Sequence, residues 1–221
     1  RVDGKPVFSV YRSTLLPDAR STISIWRAEA AKAGLELYLC RIENDGNDGT
    51  KYIEAGFDAA IEFQPFSQTL SDFKREVLTK RLKSDLLQRA ILKWHHLTGN
   101  KSIETQLTNK WFSRIEYDEF VDFLLRSYKY PKEYTRFPGI APSWDNTARR
   151  GPSSFLFKDS NPAKYKEWLE FHYRNFVPPS PQENFIFINA WNEWAEGNHL
   201  EPCTKWGRQY LEATKEITRH G

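Results

Sequence analysis

Apolar runs alternate with amphipathic stretches over the first third of the chain. Lys5–Ser13 (KPVFSVYRS) follows a turn at Asp3-Gly4 and reads as a buried strand over 7–12. LLPDARSTISIWRAEAAKAG then places Ile23, Trp26 and Ala30 on one helical face. Pro17 or Asp18 starts that helix and Gly34 stops it. A second strand is expected over 36–42, turn chemistry over 44–49 (NDGNDG), a short helix around 51–55 and a third strand over 58–64. Strands that read as continuous apolar runs between helices predict a parallel sheet built from right-handed βαβ units.

Residues 67–130 interrupt this rhythm. Ser71 is placed to cap a long helix on which Leu78, Leu82, Leu86, Ala90 and Trp94 recur every fourth position, and YDEFVDFLLRSY (117–128) predicts a second helix. RFPGIAPSWDNTARRG predicts a short strand over about 138–144 with a polar cluster at its end. Helix 161–176 has Pro162 at its first position, 184–191 is the fifth strand, and a last helix spans about 204–219. No internal repeat or linker divides the chain, so it is read as one α/β domain over 1–221 with a helical insertion at about 67–130.

Composition narrows the function classes. With 39% hydrophobic and 28% charged residues the chain has the makeup of a packed globular protein. Its net charge of +3 and the absence of a Lys/Arg run argue against nucleic acid as a partner, and the basic residues of 74–101, His95 and His96 included, fit a solvated helix face. Two cysteines, Cys40 and Cys203, supply neither a disulfide framework nor metal-ligand spacing, so no metal and no cofactor is expected. No stretch approaches the length of a membrane span. The chain opens at Arg1 and has no Met, which reads as a piece of a longer protein.

The sharpest chemical feature is INAWNEWAEGNHLEP (188–202), which sets Glu193 and Glu196 three residues apart between Trp191 and Trp194 and before Gly197. Paired carboxylates suit glycosidic-bond chemistry, which needs one ionised and one protonated group at the same pH. In a tight turn after a strand the two acids face one side, with Asn192 able to orient either; the alternative is a solvated pair capping the next segment. A second cluster, Trp144, Asp145, Asn146 and Arg149, offers hydrogen bonds to sugar hydroxyls and a guanidinium for a sugar diphosphate. Its alternative is an Asx turn with Arg149 paired to a surface acid. His199 and Glu201 follow the acids and are expected to contact substrate, the alternative for His199 being a hydrogen-bonded structural residue. Most of the eight Trp are expected to be packing residues.

FIFINAWNEWAEGNHLEP with GRQYLEA behind it, together with VDGKPVFSVYRSTLLPD, GFDAAIEF and WDNTARRG in the same order, resembles the glycoside hydrolase family 99-like domains of the WbsX type. These occur in bacterial O-antigen and polysaccharide biosynthesis proteins. The resemblance implies a (β/α)8 TIM-barrel-like fold of which this chain holds the last five βα units, the first three strands belonging to the parent protein. Such a portion is expected not to fold stably or to be active alone. By resemblance to the related endo-α-mannosidases, Glu193 is the base for the sugar 2-hydroxyl and Glu196 the general acid/base on the glycosidic oxygen, a substrate-assisted retaining route. Trp191 and Trp194 would shape the sugar pocket.

The expected function is therefore a carbohydrate-active enzyme, a glycosyltransferase of cell-surface polysaccharide (O-antigen, lipopolysaccharide) assembly acting on a glycan or sugar donor. A retaining endo-α-mannosidase-like hydrolase and an inactive glycan-binding module are the alternatives. The expected location is cytoplasmic, extending to the inner membrane face.

Overall fold

The computed structural model describes residues 1–44, 49–84, 113–151 and 154–219, with the side chains of 81–84 excepted. In chain order the elements are strand β1 (Val7–Val10), helix α1 (Ala19–Lys32), β2 (Tyr38–Glu43), α2 (Gly49–Ala55), β3 (Ala59–Glu62), α3 (Gln68–Ser84), β4 (Arg114–Glu116) and α4 (Tyr117–Ser127). There follow β5 (Arg136–Phe137), β6 (Gly139–Ile140), α5 (Thr147–Arg150), β7 (Leu156–Lys158), α6 (Pro162–Asn175), β8 (Phe187–Ile188), β9 (Asn192–Glu193), β10 (Asn198–His199) and α7 (Gln209–Thr218). Contacts group these into two compact units. One comprises Arg1–Gln68, Lys129–Ile140 and Phe171–Asn189, the other Thr69–Tyr128, Ala141–Glu170 and Ala190–Gly221.

The first unit carries a parallel sheet in the order β1-β2-β3-β5, and β6 continues the path of the chain to pair in parallel with β8. Parallel pairing and α/β alternation follow the sequence pattern, but the strands are shorter than expected. The strand predicted over 7–12 stops at Val10, and Ser13–Leu15 forms a 3-10 turn. The strand predicted over 138–144 splits around Pro138, which has no N–H for the ladder, and ends at Ile140. Of 184–191 only Phe187–Ile188 is strand at this edge. Helix α1 is capped by Asp18, whose Oδ1 accepts from the Ser21 amide at 3.2 Å, and it stops before Gly34 at φ +69°. Edge strand β1 leaves Val7 and Phe8 37% and 49% exposed.

Alternation along β2 sorts its side chains into two environments. Tyr38 and Cys40 join Ala59, Ile61 and Phe137 in one apolar cluster, and Leu39 joins Ile23, Tyr52 and Phe57 in another. On the Leu39 side lie charges that the apolar reading passed over. Arg41 is fully buried, with its guanidinium 4.2 Å from the Tyr52 ring centre and Nη1 3.3 Å from Glu43 Oε2. Glu43 also receives Arg136 Nη1 at 3.0 Å and the Tyr134 hydroxyl at 2.9 Å, and Arg136 Nη2 lies 3.7 Å from Glu62. Buried charges persist only when paired and hydrogen-bonded, and these are.

The second unit is built on aromatic packing. Helix α4 buries Phe120, Val121, Phe123 and Leu124 along one stripe, with Asp118 and Glu119 in its first turn, where acids complement the helix dipole. Phe120 stacks on Phe157 at 5.0 Å and meets Trp168 edge-on at 5.6 Å. Strands β4 and β7 pair in parallel, Ile115 opposite Phe157, a pairing not read from the sequence. Helix α7 buries Tyr210, Ala213 and Ile217; it begins at Gln209 instead of about 204. Helix α3 begins at Gln68, so Ser71 lies inside its first turn and is not its cap. The predicted positions Leu86, Ala90, Trp94, His95 and His96 and most of the 44–49 turn lie outside the described residues.

Candidate active site

The NEWAEGNH segment is not a loop following a long strand. It folds as a hairpin of its own, in which β9 pairs antiparallel with β10, Glu193 opposite Asn198 and Asn192 opposite His199. A 3-10 turn at Trp194–Glu196 joins them and closes on Gly197 in the left-handed region (φ +53°, ψ 24°). A Cβ added at Gly197 would lie 3.1 Å from the Asp145 Cβ, so backbone conformation and space both favour glycine. The hairpin is pinned through its main chain. Asp145 N–H donates to the Glu196 carbonyl at 2.7 Å, Ser143 Oγ to the Gly197 carbonyl at 2.5 Å, and Glu201 N–H to the Trp191 carbonyl at 2.9 Å.

These bonds bring the two sequence clusters into one unit. Arg149, on the single turn of α5, reaches Glu196 with Nη1 3.0 Å from Oε1, and the Arg149 side chain remains 54% exposed against 17% for Glu196. Glu193 is half-buried, and no hydrogen bond or ion pair to its side chain occurs among the described residues. The two acids therefore differ in surroundings: one is ion-paired, the other has no side-chain partner among the described residues.

The remaining expected residues divide. Trp191 and Trp194 are each 52% exposed. Trp194 stacks on His199 with ring centres 3.9 Å apart and donates through Nε1 to the Glu201 carboxylate at 2.9 Å. His199 Nδ1 lies 3.2 Å from the Glu201 carbonyl, so the donor belongs on that nitrogen. Asn192 is exposed. Asp145 and Asn146 instead hold the loop: Asp145 Oδ1 accepts from the Thr147 amide (2.9 Å) and hydroxyl (2.6 Å), and Asn146 Oδ1 from the Phe155 amide at 3.0 Å. The Asx-turn alternative describes their side chains. Trp144 was expected against substrate, yet it is 2% exposed and stacks on Phe155; its indole is a packing ring.

Sequence reasoning missed Ser143 and Asn198. Both are polar residues beside the recognised clusters, and the signal available for Asn198 was its place inside the quoted motif, directly after Gly197. The Arg41–Glu43–Arg136 group was likewise legible as charges placed inside apolar strands. A cavity of about 490 Å³ lies in the first unit against Tyr130, Tyr134, Arg136 and Phe176, and none of the expected site residues lines it. Among the described residues no helix is long and apolar enough to cross a membrane.

In chemical terms the hairpin presents an ion-paired carboxylate, a carboxylate with no side-chain partner among the described residues and two exposed indoles, with a half-exposed guanidinium beside them. Such a set can accept and return protons at a sugar ring while its aromatic faces hold the ring.

Comparisons with known proteins bear on this geometry. The chain is 30% identical to the uncharacterized protein WxcX of Xanthomonas campestris pv. campestris strain ATCC 33913 and 29% identical to that of strain B100, over 99% of its own length in each case. It spans only 28% of the length of those curated relatives. In fold it resembles a solved glycoside hydrolase-like protein, with a TM-score of 0.57 at 16% identity over 98% of this chain and 55% of that one. The family model of glycosyltransferase WbsX matches residues 1–214, and the chain belongs to that family.

Proposed function

We propose that the chain carries the acid pair of a glycosyltransferase that assembles bacterial cell-surface polysaccharide, with a sugar donor bearing an anionic leaving group. Membership of the WbsX family supports a carbohydrate-active enzyme. The observation that carries the choice of transfer over hydrolysis is the Arg149–Glu196 ion pair. A diphosphate would draw the half-exposed guanidinium away, since Arg binds phosphate oxygens bidentately. Glu196 would then be released to exchange a proton with the glycosidic or acceptor oxygen. Donor binding and activation of the acid are thus one event.

In this reading Glu193 takes the proton of the sugar 2-hydroxyl, whose oxygen attacks the anomeric carbon as the leaving group departs. The acceptor oxygen then displaces it, giving its proton to Glu196, and Glu193 returns the first proton. Trp191 and Trp194 hold the ring, Asn192 contacts it from the exposed face, and His199 with Glu201 fixes the Trp194 indole. The remaining strands of a (β/α)8 barrel would come from the rest of the parent protein. The exposed apolar edge at β1 and the small share of the relatives that this chain spans support that completion, with 1–221 as one portion of the barrel. Its location in the parent would be cytoplasmic, at the inner membrane face where activated sugars are used.

A retaining endo-α-mannosidase-like hydrolysis uses the same acids but gives Arg149 no anionic group to bind. The readings separate when the intact protein is incubated with nucleotide sugars and with neutral oligosaccharides. Transfer that depends on Arg149 supports the first, and cleavage of neutral oligosaccharides that is indifferent to Arg149 supports the second.

A further inference from the structure

Directly opposed residues in an antiparallel pair project to the same face, with Cβ atoms about 4.5–5.5 Å apart. Asn198 is opposed to Glu193. Asn198 is fully buried, and its Nδ2 has no hydrogen-bond partner among the described residues. Its Oδ1 faces the Ser143 amide at 3.5 Å, which settles the orientation of the group: turned over, the amide would set donor against donor. A buried, unsatisfied N–H is costly to keep, and such groups call for an explanation in a working state. The acceptor nearest in register is the Glu193 carboxylate, half-buried and itself without a side-chain partner among the described residues.

We infer that Asn198 is the positioning residue of Glu193: a rotation of the Glu193 side chain seats its carboxylate on the Asn198 amide, and this is its working orientation. The neighbouring acid needs no such help, because Arg149 already holds it. The hairpin thereby gives each carboxylate its own donor, a fixed amide for Glu193 and a displaceable guanidinium for Glu196. The catalytic part of this inference rests on the reading of Glu193 as the proton-accepting acid; the pairing itself does not.

The test uses Asn198→Ala and Asn198→Asp in the intact protein. Asn198→Ala removes both the acceptor for Ser143 and the donor, while Asn198→Asp keeps the acceptor and removes the donor. Retained far-UV circular dichroism identifies the folded variants, and a labelling change shared by both reports the donor instead of the charge that Asp adds. Carboxyls are labelled with a water-soluble carbodiimide and glycine methyl ester at fixed pH, and Glu193 and Glu196 are quantified separately by fragmentation mass spectrometry. Carbodiimide activates the protonated carboxyl, and a facing donor slows it. The expected result is a rise of about threefold or more in Glu193 labelling relative to Glu196. In turnover with the nucleotide sugars, kcat falls by about tenfold or more with KM little changed, as misorientation of a reacting group predicts. An unchanged labelling ratio in folded variants overturns the pairing. If the ratio responds but Glu193→Gln leaves turnover intact, the pairing stands, while the positioning role in catalysis and the reading of Glu193 as the base both fall.

Discussion

Arg149 Nη1 sits 3.0 Å from Glu196 Oε1, whereas Glu193, on the other side of the same 3-10 turn, has no side-chain partner among the described residues. Two carboxylates three residues apart thus occupy different electrostatic settings. A single cation that a ligand can compete for makes the difference.

Replacing Arg149 with Gln should therefore affect donor use far more than stability. The pair is half-exposed on the arginine side, so its loss should cost under about 1 kcal/mol of folding free energy. Charge-assisted bonds to a phosphate are worth about 1.5–3 kcal/mol, which corresponds to a drop of about ten- to a hundredfold in kcat/KM for an anionic donor. Arg149→Lys should recover only part of this, because it lacks the planar fork. Initial rates against donor concentration measure both.

Gly197→Ala should disturb the hairpin itself. An L side chain at φ +53° is strained, and its Cβ would press on Asp145. The expected cost is about 1–2 kcal/mol, with turnover lost alongside. Hydrogen exchange at residues 190–202 should speed up in the variant while exchange at β2 and β3 is unchanged. Uniform acceleration would mean that the turn does not act locally.

His172 supplies a pH dependence. It is buried, its Nδ1 lies 2.8 Å from the Tyr130 hydroxyl, and burial, followed by the charge of Arg136, lowers it to about 3. The unfolded chain, near 6.5, binds the proton over that whole interval. Stability is then full above about pH 6.5 and falls as pH drops toward 3, by about 2 kcal/mol between pH 7 and pH 5. Local hydrogen exchange over 129–140 and 171–189 in the intact protein should show this slope. His172→Gln should flatten it.

Glu43→Gln should be among the most damaging single changes in the first unit. It removes the carboxylate shared by Arg41, Arg136 and Tyr134 and leaves buried guanidinium groups facing an amide. Removing one partner of a buried ion pair costs about 3–5 kcal/mol. Denaturant titration of the intact protein, read from exchange in β2 and β3, gives the number; a loss under about 1 kcal/mol would mean that solvent reaches the network.

The apolar runs around Tyr38–Glu43 and Ala59–Glu62 made a parallel α/β arrangement legible, because strands buried on both faces need little more than continuous hydrophobicity. The end of each element was harder to read. Pro138 divides β5 from β6, the strand that periodicity alone would carry to Trp144 stops at Ile140, and the apolar run before Asn192 hides a break after Ile188. The acid pair stood out through spacing and flanking indoles. The hairpin did not, since its register depends on main-chain bonds to Ser143 and Asp145, far away in sequence. Trp144, aromatic and next to a polar cluster, reads as a substrate contact, although its partner Phe155, eleven residues on, stacks on it and leaves it buried.

Whether the two acids transfer sugar is tested most directly by turnover of the intact protein and its Glu193→Gln and Glu196→Gln variants. The substrates are a panel of nucleotide sugars with glycan acceptors and, separately, α-mannan oligosaccharides. Sugar transfer from a nucleotide donor is expected, falling by at least about a hundredfold in each variant. Undiminished transfer in both variants, or release of short oligosaccharides with no transfer at all, would contradict the assignment of transfer to these acids.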